Sequence, residues 1–114
     1  MTSQLNLPLT GFRILSAEQY GAGPYGTMFL AQLGAEVIKI EPPKGGDSAR
    51  GAGPYFLGVD DSLFYQTFNL NKRSVTLDVR TEAVRAVLHR LVASADAMTN
   101  NARGDLPAKL GLDY

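Results

Sequence analysis

The chain has 114 residues, within the range of one domain, and its composition of 45% hydrophobic and 19% charged residues is that of an ordinary soluble globular protein, which argues against disorder. Eleven basic residues balance eleven acidic ones, so nothing in the whole-chain charge favours nucleic acid or an anionic membrane, and an anionic ligand must be met locally. The absence of cysteine excludes a disulfide framework, a thiolate metal site and a cysteine nucleophile, metal binding has little support, and the lack of a membrane-length apolar run or a signal peptide in MTSQLNLPLTG leads us to expect a cytoplasmic protein.

After a polar tail over residues 1–10, the run from Phe12 to Ala17 is a short strand, followed by a glycine turn and a helix from about Tyr25 to Leu33. Pro24 suits a first helical position, where its missing N–H costs nothing, and Gly34 suits the helix C-cap. Glu36 to Glu41 is a buried parallel strand by its β-branched content, completing a βαβ unit. The glycine- and proline-rich stretch from Pro42 to Asp61 is expected to be a long irregular loop of the kind that carries function or a partner surface. SLFYQTFN is expected to be helical, and Ser74 to Val79 a strand. From Thr81, a reasonable N-cap, a helix places Val84, Val87, Leu88, Leu91 and Val92 on one buried face, with His89 solvated or edge-packed beside it. DAMTN is then a further strand and GDLPAKLGLDY a turn with a short helix. The expected class is an open α/β fold of Rossmann-like topology with a mainly parallel sheet and flanking helices. Four strands, two good helices and twelve glycines make a small core, and the chain reads as the beginning of a larger protein. By itself it is expected to expose an unpaired sheet edge and to aggregate or remain molten.

Gly21, Gly23 and Gly26 fall at the G-x-G-x-x-G spacing of a dinucleotide-binding turn, and Glu41 follows at about the distance of a ribose-binding acid. Any tight strand-to-helix turn also uses small residues, and an acid at a strand end is often only solvated. Lys72 and Arg73 ahead of one strand and Arg80 after it could receive phosphates, or be solvated bases. NNARGD near Asn101 offers amide and guanidinium donors.

The ordered set GFRILS, AGPYGTMFLAQLGAEVIKIEPPKGGDSAR, FNLNKRSVTLDV, LVASADAMTNN and LGLDY resembles the N-terminal part of the family III CoA-transferases, which include formyl-CoA and carnitine CoA-transferases and related racemases. The likeness runs from Gly11 nearly to the end and makes residues 11–114 the N-terminal part of that family's large domain. It implies a longer chain that forms an interlocked homodimer and moves CoA from an acyl-CoA to a carboxylic acid, with CoA as substrate and no tightly bound cofactor. The nucleophilic aspartate would lie beyond Tyr114, so no catalytic residue is assigned and this chain alone is expected to be inactive.

The same resemblance implies roles for particular positions. Gly21 and Ala22 match the turn against CoA and the acceptor carboxylate. Leu77, Asp78, Val79 and Arg80 match the segment that holds the adenosine part, Asn101, Ala102 and Arg103 the segment after the next strand, and Lys109 a further basic position. Ser16 stands where the family usually has an acid, Ala102 where it has an aromatic, Asp105 sits in a segment usually written E-N-F-R-P-G, and Pro42 replaces a residue that is basic in some members. Rival readings are an acyl-CoA α-carbon racemase of the same family, a NAD-binding domain, and a non-catalytic remnant that serves subunit association.

Overall fold

The computed structural model describes residues 6–111 and contains an all-parallel four-stranded sheet with helices on both faces. Strand β1 (Arg13–Ala17) leads through helix α1 (Ala22–Gln32) to β2 (Glu36–Glu41), which has the expected bounds. A one-turn 3-10 segment (Ser48–Gly51), the short strands β3 (Phe56–Gly58) and β4 (Asp61–Ser62), and helix α2 (Leu63–Phe68) follow. Then come β5 (Arg73–Thr76), α3 (Glu82–Ala93), β6 (Ala97–Asn100) and α4 (Leu106–Leu110). The sheet order is β5-β2-β1-β6. Chain progression runs one way from β1 to β5 and the other way to β6, so right-handed crossovers put α1 and α2 on one face and α3 on the opposite face.

Several boundaries differ from expectation for local reasons. Helix α1 starts at Ala22, because Gly21 takes the N-cap and its carbonyl accepts the Tyr25 N–H at 2.8 Å. Pro24 is therefore in the first turn but not its first residue, and its missing N–H still falls among those that have no intrahelical partner. Gly34, at φ +105°, lies one residue past the cap, where only glycine is relaxed. β5 ends at Thr76; Leu77 still bonds to the Glu41 carbonyl, but the Asp78 carbonyl then accepts the Thr81 N–H and turns the chain into α3. The stretch from Pro42 to Asp61 is not wholly irregular: it holds the 3-10 turn, capped by the Asp47 side chain on the Ala49 N–H, and the antiparallel β3–β4 pair.

The apolar core lies between α1 and the N-terminal halves of β1 and β2, where Ile14 and Val37 pair in register and pack with Ala31 and Ala35. Leu9, inside the segment read as a tail, packs on this core, and its N–H donates to the Leu33 carbonyl at 2.9 Å. On α3 only Leu88 of the expected stripe is buried; Val84, Val87 and Leu91 are half-buried and Val92 is exposed, because among the described residues no further layer covers that helix. His89 is exposed. Among the described residues no helix is long and apolar enough to cross a membrane.

Candidate functional site: a cavity at the strand ends and a buried ionic floor across the sheet

In a parallel sheet every strand ends on the same side, and ligands bind where neighbouring connections leave in opposite directions. Here β1 connects to one side and its neighbour β6 closes the other, and a cavity of about 590 Å³ opens at their C-terminal ends. It is lined by Ala17, Glu18 and Gln19 after β1, by Ile40 to Lys44 except for Glu41 at the end of β2, by Leu77 to Arg80 after β5, and by Asn101 to Arg103 with Leu106 after β6. Ile40, Leu77, Val79, Leu106 and the two prolines make apolar walls. The acids and bases at the rim divide unevenly. Arg80 is committed to Asp78 through bonds of 2.8 and 3.1 Å, which lower the Asp78 pKa and raise that of Arg80. Lys44 and Arg103 have no acidic partner among the described residues. A rim with two uncommitted cations over apolar walls can hold an anionic, partly apolar ligand.

Of the positions singled out in the sequence, Leu77, Asp78, Val79, Arg80, Asn101, Ala102 and Arg103 come together around this cavity. Gly21 and Ala22 sit at the start of α1 just outside its lining, and Lys109 pairs with Asp105 at 2.8 Å on the surface of α4. The Asp105 carboxyl is held below its usual range by that lysine. The phosphate reading of Lys72 and Arg73 does not stand. They lie at the N-terminal end of β5, away from the cavity rim, where Arg73 pairs with Glu36 at 2.9 Å and Lys72 is turned inward. Glu41 is neither solvated nor free for a ribose: it is 2% exposed and fully engaged. Of the three glycines only Gly23 is sterically required, since a Cβ there would lie 2.8 Å from Asn101 Cγ and 3.0 Å from Glu18 Cβ, whereas Gly21 and Gly26 have open space. Gly23 thus answers to packing against Asn101 in the β6–α4 loop, and the spacing to Gly21 and Gly26 answers to no steric demand.

Across the sheet from Ala17 and Ile40, and touching the cavity only through Glu18, lies a buried ionic floor whose members sequence reasoning passed over, as with Glu18 and Lys39, or read as ligand-facing, as with Lys72 and Glu41. On the α1 face of the sheet, Ile14 and Val37 give way two residues later to the register pair Ser16 and Lys39, and then to Glu41. Lys39 is completely buried; its Nζ pairs with the Asp47 carboxylate, donates to Asn69 Oδ1 at 2.9 Å and lies 3.9 Å from Glu18. Glu18 accepts from Lys72 at 2.7 Å, from Thr27 at 2.7 and 2.9 Å, and from Ser16. Lys72 also donates to the Pro24 carbonyl at 2.8 Å; burial lowers its pKa against the opposing pull of Glu18. Asp47 Oδ1 accepts from the Tyr20 and Ala49 amides, both at 2.9 Å.

A second knot surrounds Glu41, which accepts from Arg50 at 2.8 and 2.9 Å, from the Asp47 amide at 2.8 Å and from Ser74. Burial alone would raise its pKa, but the bonds from Arg50, Ser74 and the Asp47 amide outweigh it and hold the carboxyl at about 2. The Arg50 guanidinium lies 4.0 Å from the centre of the Tyr65 ring and donates to its hydroxyl at 2.8 Å; burial and the Glu41 charge push that phenol up to about 12. Three cations and three carboxylates are therefore matched in this floor, and no buried side-chain polar atom among the described residues lacks a partner. Period-two counting was the available signal: in VIKIE it puts Lys39 on the inward face with Val37 and Glu41.

A family model described as CoA-transferase family III matches residues 9–114. Among curated relatives, the succinate–glutarate CoA-transferase of Agrobacterium fabrum is 40% identical over 94% of this chain and 28% of that protein, and the acetyl-CoA:oxalate CoA-transferase of Acetobacter aceti is 38% identical over 94% and 27%. A crystal structure of a CaiB/BaiF family protein from Brucella suis superposes with a TM-score of 0.88 at 40% identity, covering 96% of this chain and 29% of that one. The chain spans little more than a quarter of the length of these relatives.

Proposed function

Because the chain belongs to CoA-transferase family III, we propose that it supplies the front half of a CoA site in a protein that transfers CoA from an acyl-CoA to a small carboxylic acid. The observation that carries this reading is the strand-end cavity, with its apolar walls and the uncommitted cations Lys44 and Arg103 at its rim. Arg103 and Lys44 meet the phosphates, the segment from Leu77 to Arg80 holds the adenosine part, and the turn around Gly21 and Ala22 lies towards the thioester. The relatives named for succinate, glutarate and oxalate favour a dicarboxylic acid as acceptor.

In the reaction an aspartate carboxylate, supplied from outside this chain, attacks the acyl thioester and expels CoA thiolate, leaving a mixed anhydride. The thiolate then attacks the aspartyl carbonyl, forming an aspartyl-CoA thioester and releasing the donor acid. The acceptor carboxylate repeats the two steps in reverse order, which returns the aspartate and yields the new acyl-CoA. The protein is cytoplasmic in this reading, works as an interlocked homodimer and needs no other cofactor.

Incubation of this chain together with the portion that supplies the aspartate, in the presence of succinyl-CoA and isotopically labelled dicarboxylic acids, tests the proposal. Labelled acyl-CoA without net hydrolysis is the expected product. Exchange of the acyl α-proton in D₂O without transfer between acids would instead identify the racemase, and neither activity would favour a subunit-association role.

A further inference from the structure

We infer that Asn101 is a positioning residue for the turn after β1, acting through Gln19 and not by grasping a ligand with its own side chain. Asn101 Oδ1 accepts the Gln19 N–H at 2.9 Å and Asn101 Nδ2 donates to the Gln19 carbonyl at 2.9 Å. A side-chain amide that meets both backbone groups of one residue behaves like an added strand, fixing position and orientation together. This clamp joins the exits of β1 and β6, and both of its residues line the main cavity.

Two further features point to the same role. The next residue, Tyr20, has φ +71°, a conformation that an L residue rarely holds without support, and its N–H is taken by Asp47 Oδ1 at 2.9 Å. Asp47 is itself buried against Lys39, so the turn is held from the β6 exit on one side and from the ionic floor on the other. Gly23 leaves the clamp its room, since a Cβ there would come within 2.8 Å of Asn101 Cγ and 3.1 Å of Asn101 Cβ. Both ends of the Asn101 amide are oriented by the Gln19 backbone, one N–H and one lone pair being spent on the clamp, so the side chain is set to hold the turn, with Arg103 and the backbone around Ala102 left to meet the ligand.

The inference rests on the reading of the cavity as a CoA site, and one pair of measurements separates the two. Amide hydrogen exchange at Gln19 and calorimetric CoA affinity are followed in the protein, in Asn101→Ala and in Gly23→Ala, which crowds the clamp without removing its amide. Both variants are expected to speed Gln19 exchange about tenfold and to raise the CoA Kd about tenfold, the scale of one to two lost hydrogen bonds. A weaker affinity in Asn101→Ala with unchanged Gln19 exchange would overturn the inference by making Asn101 a direct ligand contact. Faster exchange with unchanged affinity would overturn it by making the clamp structural only. Failure of the unsubstituted protein to bind CoA would overturn the functional reading and this inference with it, whereas the other two outcomes leave that reading intact.

Discussion

The cavity rim and the ionic floor across the sheet from it are both rich in charge, yet they treat charge in opposite ways. In the floor, Lys39, Lys72 and Arg50 are each matched to Asp47, Glu18 or Glu41, and the carboxylates collect further donors from Thr27, Ser16, Ser74 and backbone amides. At the rim, Lys44 and Arg103 have no acid to meet among the described residues. Matched charges out of water add little net stability compared with apolar packing, but they fix geometry, because any rearrangement leaves a bare ion. Unmatched charges in water cost nothing to keep and are ready for an anionic ligand. The same residue types thus set the frame in one place and recognition in the other.

Breaking the floor should have the largest effect. Asp47→Ala leaves the buried Lys39 ammonium without its carboxylate and frees the Tyr20 amide, and is expected to cost about 3–5 kcal/mol in chemical denaturation. A loss below 1 kcal/mol would mean that the floor is more hydrated than its burial implies.

Acid sharpens the comparison next. Glu41 has a folded-state pKa of about 2 against an ordinary value of 4.5, so its contribution is complete above pH 4.5 and is lost as pH falls towards 2. The sign follows from the unfolded chain binding the proton first, and the amount is on the order of 3 kcal/mol. Urea midpoints measured from pH 5 to pH 2.5 should fall more steeply for the protein than for Glu41→Gln, which removes this component of the slope.

The rim should respond in affinity with little change in stability. Arg103→Ala or Lys44→Ala is expected to weaken CoA binding about 5- to 20-fold and to leave the thermal midpoint within a degree or two, as removal of a charge-assisted bond to a ligand phosphate would. His89→Ala, on the exposed side of α3, should change neither affinity nor stability beyond about 0.5 kcal/mol.

How much of this was legible in the sequence follows the same division. β1, α1 and β2 could be placed because glycines and prolines punctuate them and β-branched residues fill the strand. The segments Leu77 to Arg80 and Asn101 to Arg103 were singled out through the family resemblance, the residues themselves offering only Arg80 after a strand and the donors of NNARGD, and the structure shows that both segments line the cavity. The β3–β4 pair was not, since a three-residue strand exposed along its length has no buried face to impose a period. The floor was missed for a different reason: Glu18, Lys39, Asp47 and Lys72 are residue types that usually face water, and only their mutual neutralisation, which joins residues up to 54 positions apart, lets them lie inside. The dinucleotide reading of the glycine turn failed because the letters carry no steric information, and the same letters serve to admit Asn101.

The measurement that tests the central claim most directly is a calorimetric titration of the protein with CoA at low and moderate salt, repeated in the presence of NAD and with the Lys44→Ala/Arg103→Ala double variant. The account predicts saturable CoA binding that weakens with salt, is indifferent to NAD and falls by one to two orders of magnitude in the double variant. CoA affinity untouched by removing both rim cations, or displacement of CoA by NAD, would contradict it.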